Sequence, residues 1–111
     1  MAETDELAVR IEQAATSIAG LARQAEPEGV RYALAGVPFA VVAGDRAAFR
    51  LRPDVAEAAL QMPDVHASPR GPGWVELAPA TLDRFALDRA MSWFAAAARY
   101  AAEANPGRRT H

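Results

Sequence analysis

From Val37 to Leu60 the chain reads VPFAVVAGDRAAFRLRPDVAEAAL, and few architectures accommodate that stretch. Phe39, Val41 and Ala43 alternate with other residues before a Gly44-Asp45 pair. Ala47, Phe49 and Leu51 alternate after it. A period of two on both sides of a turn signal predicts a β-hairpin with one buried face. Arg52-Pro53-Asp54 then announces a helix, because proline suits a first helical turn and an acidic residue suits its positive end. Two strands followed by a helix point to a mixed α and β fold.

The hairpin register follows from burial. A two-residue Gly44-Asp45 turn sets Ala43 opposite Arg46 and Phe39 opposite Arg50, so arginines share a face with apolar residues. Moving Arg46 into the loop pairs Ala43 with Ala47, Val41 with Phe49 and Phe39 with Leu51, and one face becomes wholly apolar. A buried face specifies register strongly, so the second pairing is expected. With glycine at the first loop position, the turn type stays open.

The remaining elements fall around this unit. Leu7, Ile11, Ala14, Ile18 and Leu21 predict a helix over Asp5–Gln24, capped by Thr4 and stopped at Glu26-Pro27-Glu28-Gly29. Val30, Tyr32 and Leu34 predict a first strand, broken at Gly36. Val55, Ala56, Ala59, Leu60 and Met62 form the apolar stripe of the middle helix, which Pro63 ends. A short strand over Val65–Ser68, a loop at Pro69–Gly73 and a strand over Trp74–Leu77 follow. A last helix from Leu82 to Ala104, capped by Thr81, buries Leu82, Ala86, Ala90, Phe94 and Ala97. Adjacent Trp93 and Phe94 read as core, with a dimer contact as the other reading. The expected class is α+β: an antiparallel sheet of about five short strands with helices packed on one face, in the order α-β-β-β-α-β-β-α. A chain of 111 residues forms one domain, with residues 1–4 and 105–111 expected to fray.

Composition narrows function. Without cysteine there is neither disulfide nor thiolate chemistry. The acidic, apolar-poor start argues against a secretory signal, and no apolar run nears the roughly 20 residues of a bilayer span. A cytoplasmic protein with no membrane partner is the expectation. The net charge of -2 opposes a broad nucleic-acid footprint. All basic side chains are arginine, which suits phosphate and carboxylate recognition, although an alanine-rich, arginine-only chain also fits a genomic compositional bias.

Catalytic and metal chemistry find little here. Of two histidines, His111 is terminal and His66 has only Asp64 nearby, whereas a metal needs about three or four ligands. Ser17, Ser68 and Ser92 lack a nucleophile's sequence context. Gly71-Pro72-Gly73 precedes a strand rather than a helix, so it makes no phosphate loop. No catalytic residue and no cofactor are expected. The strongest polar constellation lies on the strands. With Phe49 and Leu51 inward, Arg50 and Arg52 project outward. Arg46 stands at the hairpin tip, and Trp74 follows Arg70 into the last strand. Arginine beside an aromatic on an open sheet face is a platform for a nucleic acid or another anionic partner. A solvated sheet face, with Trp74 lying against a helix or loop, is the alternative.

Gly36-Val37-Pro38-Phe39, Phe49-Arg50-Leu51-Arg52-Pro53-Asp54, Gly73-Trp74-Val75-Glu76-Leu77 and a terminal helix with Ser92-Trp93 occur in this order. From about Val30 to Ala102 the chain resembles the YjbR-like (MmcQ/YjbR) family of small bacterial proteins. The resemblance implies a frataxin/CyaY-like fold and a DNA-binding role, with no catalytic residue to carry over. Arg46 stands where the family commonly has a lysine. The expectation is a non-enzymatic module contacting nucleic acid or another anionic partner through Arg46, Arg50, Arg52, Arg70 and Trp74, as a monomer or weak homodimer. The alternative is a protein–protein interaction or homodimeric assembly module, joined through a sheet edge or an apolar helix surface.

Overall fold

The computed structural model describes residues 6–103. The order is α1 (Glu6–Ala15), β1 (Leu21–Glu26), β2 (Gly29–Leu34), β3 (Val37–Ala43), β4 (Arg46–Arg50), α2 (Pro53–Ala59), β5 (Val65–Ala67), β6 (Trp74–Leu77) and α3 (Arg84–Glu103). All strands pair antiparallel in one six-stranded sheet, β1-β2-β3-β4-β6-β5. The α+β class holds, with six strands instead of five. The expected Thr4 cap and the tail at 105–111 lie outside the described residues.

The sixth strand comes from the expected first helix. That helix stops at Ala15, well short of Gln24. Thr16 turns its hydroxyl back to donate to the Gln13 carbonyl at 2.7 Å, and Gly20 takes φ +79°, which reverses the chain. Leu21–Glu26 then pairs with β2 through a two-residue Pro27-Glu28 turn, so the expected helix stop is a hairpin turn. In the last helix Asp83, rather than Thr81, is the cap: its Oδ1 accepts from the Ala86 N–H at 2.9 Å. Leu60, expected in the buried stripe of α2, is exposed, because that helix has ended at Ala59.

The β3–β4 register is the one with the two-residue turn, not the expected shifted pairing. Ala43 faces Arg46, Val42 faces Ala47, Val41 faces Ala48 and Ala40 faces Phe49. Gly44 has φ +63°, as a type II′ turn requires at its first central position. This register was expected to fail because it sets Phe39 opposite Arg50. A bulge in β3 removes the conflict. Tyr32 pairs with Ala40 but Ala33 pairs with Pro38, so Phe39 is an extra residue in the strand. The bulge turns Phe39 inward, where it is fully buried, 5.3 Å from the Phe94 ring. The β4 ladder with β3 ends at Phe49, so Arg50 has no partner in β3.

One core fills the space between sheet and helices. Tyr32, Phe39 and Phe49 come from the sheet, Leu7 and Ile11 from α1, Ala56 and Ala59 from α2, and Phe94 from α3. Tyr32 meets Phe94 edge-on at 5.2 Å, and Trp93, partly buried, meets Phe49 at 6.3 Å. Trp93 and Phe94 are therefore core, as expected. The rest of the buried face of α3 is almost entirely alanine: Ala86, Ala90, Ala97, Ala98 and Ala101, with Leu87.

A polar clamp ties α1 to the sheet. The Tyr32 hydroxyl donates to Glu12 Oε1 at 2.8 Å, and Arg23 Nε lies 2.8 Å from Glu12 Oε2. Burial first, then the Glu12 carboxylate, raises the Tyr32 phenol above its ordinary pKa of 10.0, with Arg23 opposing.

Two predictions follow from this packing. Gly29 abuts the Val42 carbonyl so closely that a Cβ would collide with it. Gly29→Ala is expected to cost about 2 kcal/mol or more in a urea titration, as backbone must move. The second concerns alkaline stability. The chain has no lysine or cysteine, so tyrosine is the only side chain titrating between about pH 9 and 12. Because folding raises the Tyr32 pKa, its contribution is complete below pH 10.0 and is lost as pH rises beyond that value. The urea midpoint should fall between pH 9 and about pH 11 in the wild type, and Tyr32→Phe should abolish most of the fall.

Candidate functional site

The face of the sheet away from the helices is concave. A flat sheet would separate β1 from β6 by about 19 Å over four strand spacings. Yet Arg70, in the loop between β5 and β6, brings its guanidinium within 3.9 Å of Glu26 in β1. The curl encloses a hollow of about 580 Å³. Its floor is set by the two-residue hairpin turn, which sends Val41, Ala43 and Ala48 to this face; Val41 and Ala48 are buried. Its rim carries Arg46, Arg70, Glu28, Glu76 and the buried Ser68. The Ser68 hydroxyl accepts from the Arg70 N–H at 3.3 Å, and the Trp74 carbonyl accepts from the Ser68 N–H at 3.0 Å, which fixes the loop on its strand.

The five residues expected to form one face divide into two groups. Arg46 stands on the rim, 62% exposed, with Nη1 3.2 Å from Glu76 Oε2. Arg70 lies over the Trp74 ring, 5.9 Å from its centroid, and reaches Glu26. Trp74 is two residues from Glu76 in β6 and shares its face, so it stands beside the hollow. Arg46, Arg70 and Trp74 are thus brought together.

Arg50 and Arg52 belong elsewhere. The backbone sets Arg50 opposite Trp74, but its guanidinium lies over the Tyr100 ring of α3 at 4.8 Å. Among the described residues its Nη1 is buried with no hydrogen-bond partner. Arg52 turns to Asp54 at 3.5 Å and to Glu103 at 3.8 Å. Both cations serve the junction of β4, α2 and α3. Glu26 and Glu28 were not expected at the site. Only the presence of β1 and its hairpin turn brings them there, and the signal for it was the Thr16-Ser17 and Ala19-Gly20 interruption of the helical pattern.

The arrangement can hold a partner with an anionic group and a flat or apolar part. Exposed ion pairs such as Arg46–Glu76 contribute only about 0–1 kcal/mol, so these guanidiniums can be recruited by an incoming anion. His66 faces Glu76 across the β5–β6 ladder and is exposed. Among the described residues no group of three or more histidine, aspartate or glutamate side chains could hold a metal ion, and no helix is long and apolar enough to cross a membrane. No family model, curated protein or solved structure matches the chain.

The two arginine groups should respond differently to substitution. Arg46→Ala is expected to change stability by no more than about 0.5–1 kcal/mol. Arg50→Ala should cost about 1–2 kcal/mol through lost contact with Tyr100, because an arginine stem packs as well as carries charge. Arg50→Met keeps that packing and removes a buried unpaired N–H, so it should be neutral or stabilising. Urea denaturation of the three variants checks this; a large loss in Arg50→Met would contradict the assignment.

Proposed function

We propose that this chain is a non-enzymatic, YjbR-like binding module that takes a short single-stranded stretch of nucleic acid on the concave, helix-free face of its sheet. One observation carries the reading: Arg46 and Arg70 stand over an apolar floor beside Trp74, with the Arg70 guanidinium over the indole at 5.9 Å from its centroid. A base stacks in place of, or beside, the Arg70 guanidinium, and flanking phosphates recruit Arg46 and Arg70 from their carboxylates. Stacking is worth about 1–3 kcal/mol per base, which exceeds what an exposed ion pair holds back.

The geometry favours a single strand over a duplex. A duplex needs a continuous basic face, whereas here Arg50 and Arg52 turn to α3 and acidic side chains line the same hollow. Glu28 and Glu76 repel phosphate, so binding is weak and confined to a few nucleotides. Arg46→Ala and Trp74→Ala separate the phosphate and stacking contributions.

Fluorescence anisotropy with a labelled oligothymidylate at low salt tests the reading. Two phosphate contacts predict a slope of log affinity on log salt near −1.4, falling to about −0.7 in Arg46→Ala. Trp74→Ala should weaken binding about tenfold with the slope unchanged. No binding up to about 100 μM at low salt, or affinity untouched by both substitutions, would overturn it.

A further inference from the structure

The two edges of the sheet are built differently. β5 has only three residues and lies between Pro63 and Pro69, so it offers little to pair with. β1 has six residues, and Ala22, Arg23, Gln24 and Ala25 are all exposed. Neither proline nor lysine interrupts it, and its ladder with β2 is regular. Its one cation, Arg23, is drawn onto Glu12 and over the Tyr32 ring, on the helix side. Among the described residues, the usual protections of an edge strand are missing from β1.

The direction of its free backbone groups follows from the hairpin. A two-residue turn makes Glu26 and Gly29 a hydrogen-bonded pair, and such pairs alternate along an antiparallel ladder. Gln24 and Ala22 therefore bond to β2, while the N–H and C=O groups of Arg23 and Ala25 point outward; the Leu21 N–H is already taken by the Ile18 carbonyl at 3.4 Å.

We propose that β1 pairs antiparallel with β1 of a second copy of this chain, about a two-fold axis at Gln24. In that register Arg23 lies opposite Ala25 of the second copy, and Ala25 opposite its Arg23. Each of these pairs exchanges two backbone hydrogen bonds. Gln24 meets its own copy on the axis as a non-hydrogen-bonded pair, and Ala22 meets Glu26. No like charges oppose each other, whereas centring on Arg23 would set two guanidiniums face to face. Residues of the same parity pair, so both helix layers stay on one side of a continuous sheet. The same patch meets itself, as a two-fold contact requires, and the charge pattern of β1 suits that pairing, with neutral Gln24 on the axis and Ala22 opposite Glu26. Apolar surface adjoins the edge. A groove of about 470 Å³ runs between α1 and β2, lined by Ala8, Val9 and Val30, with Val9 51% exposed and Val30 the ladder partner of Ala25.

Sedimentation equilibrium of the wild-type chain from about 10 to 500 μM should show a reversible dimer, a range that covers weak interfaces of small area. Gln24→Cys creates the sole cysteine of the chain. On the axis its Cα atoms would stand about 4.5 Å apart, within disulfide reach. Mild oxidation should convert Gln24→Cys to a covalent dimer much faster than Ala58→Cys, an exposed control on α2. Ala25→Pro removes an outward N–H, which an edge tolerates, and should abolish dimerisation while circular dichroism stays that of the wild type. A wild-type monomer throughout the range would overturn the proposal, as would a dimer in which Gln24→Cys cross-links no faster than the control. The two tests stay distinguishable, because the oligothymidylate titration is read through Arg46→Ala and Trp74→Ala, and neither residue lies in β1.

Discussion

The insertion of Phe39 against Phe94 is the contact on which the rest of the structure depends. A two-residue turn at Gly44-Asp45 aligns β3 and β4 so that strict alternation would send Phe39 to the helix-free face. One extra residue in β3 turns that ring into the core and leaves Val41 and Ala48 to line the other side. The core gains an aromatic cluster of Tyr32, Phe39 and Phe94, and the opposite face gains a floor it would otherwise lack. A single bulge thus sets both the packing of α3 and the character of the hollow.

Electrostatics then divides the arginines. Every candidate cation has a nearby carboxylate or aromatic ring: Arg46 with Glu76, Arg52 with Asp54 and Glu103, Arg70 with Glu26 and Trp74, Arg50 with Tyr100. The mild net acidity of the chain is therefore expressed locally as paired charge. The hollow is amphoteric, and any recognition of an anion there proceeds by exchange of partners.

Several elements could be read from residue pattern because their signals are local. Pro53 opened α2, the Trp74–Leu77 alternation held, and the angular position of Phe94 gave its burial. β1 could not be read this way. Leu-Ala-Arg-Gln-Ala-Glu carries no apolar alternation, because an edge strand with both faces largely wet has none to carry. Ile18 and Leu21 meanwhile continue the helical period of α1 by coincidence. The β3–β4 register failed for a different reason. Requiring one wholly apolar face assumes a straight ladder, and the bulge that breaks the assumption is set by tertiary packing of Phe39. Of the candidate site, the shared face of Trp74 and Glu76 was legible. The departure of Arg50 was not, since it depends on where β3 stops pairing and where α3 ends.

The alanine face of α3 has a consequence for how this fold tolerates change. Cores are usually most sensitive to truncation, because lost methylenes leave cavities. Here five of the seven buried positions of α3 are already alanine. Only glycine is smaller, and the helix meets the core largely on side chains of one carbon. Enlargement is the damaging direction: a valine or leucine at Ala90 or Ala97 has no space to enter without displacing the helix. The sequence drift open to this chain is therefore asymmetric, with the aromatic cluster holding the volume and the alanine seam holding the distance.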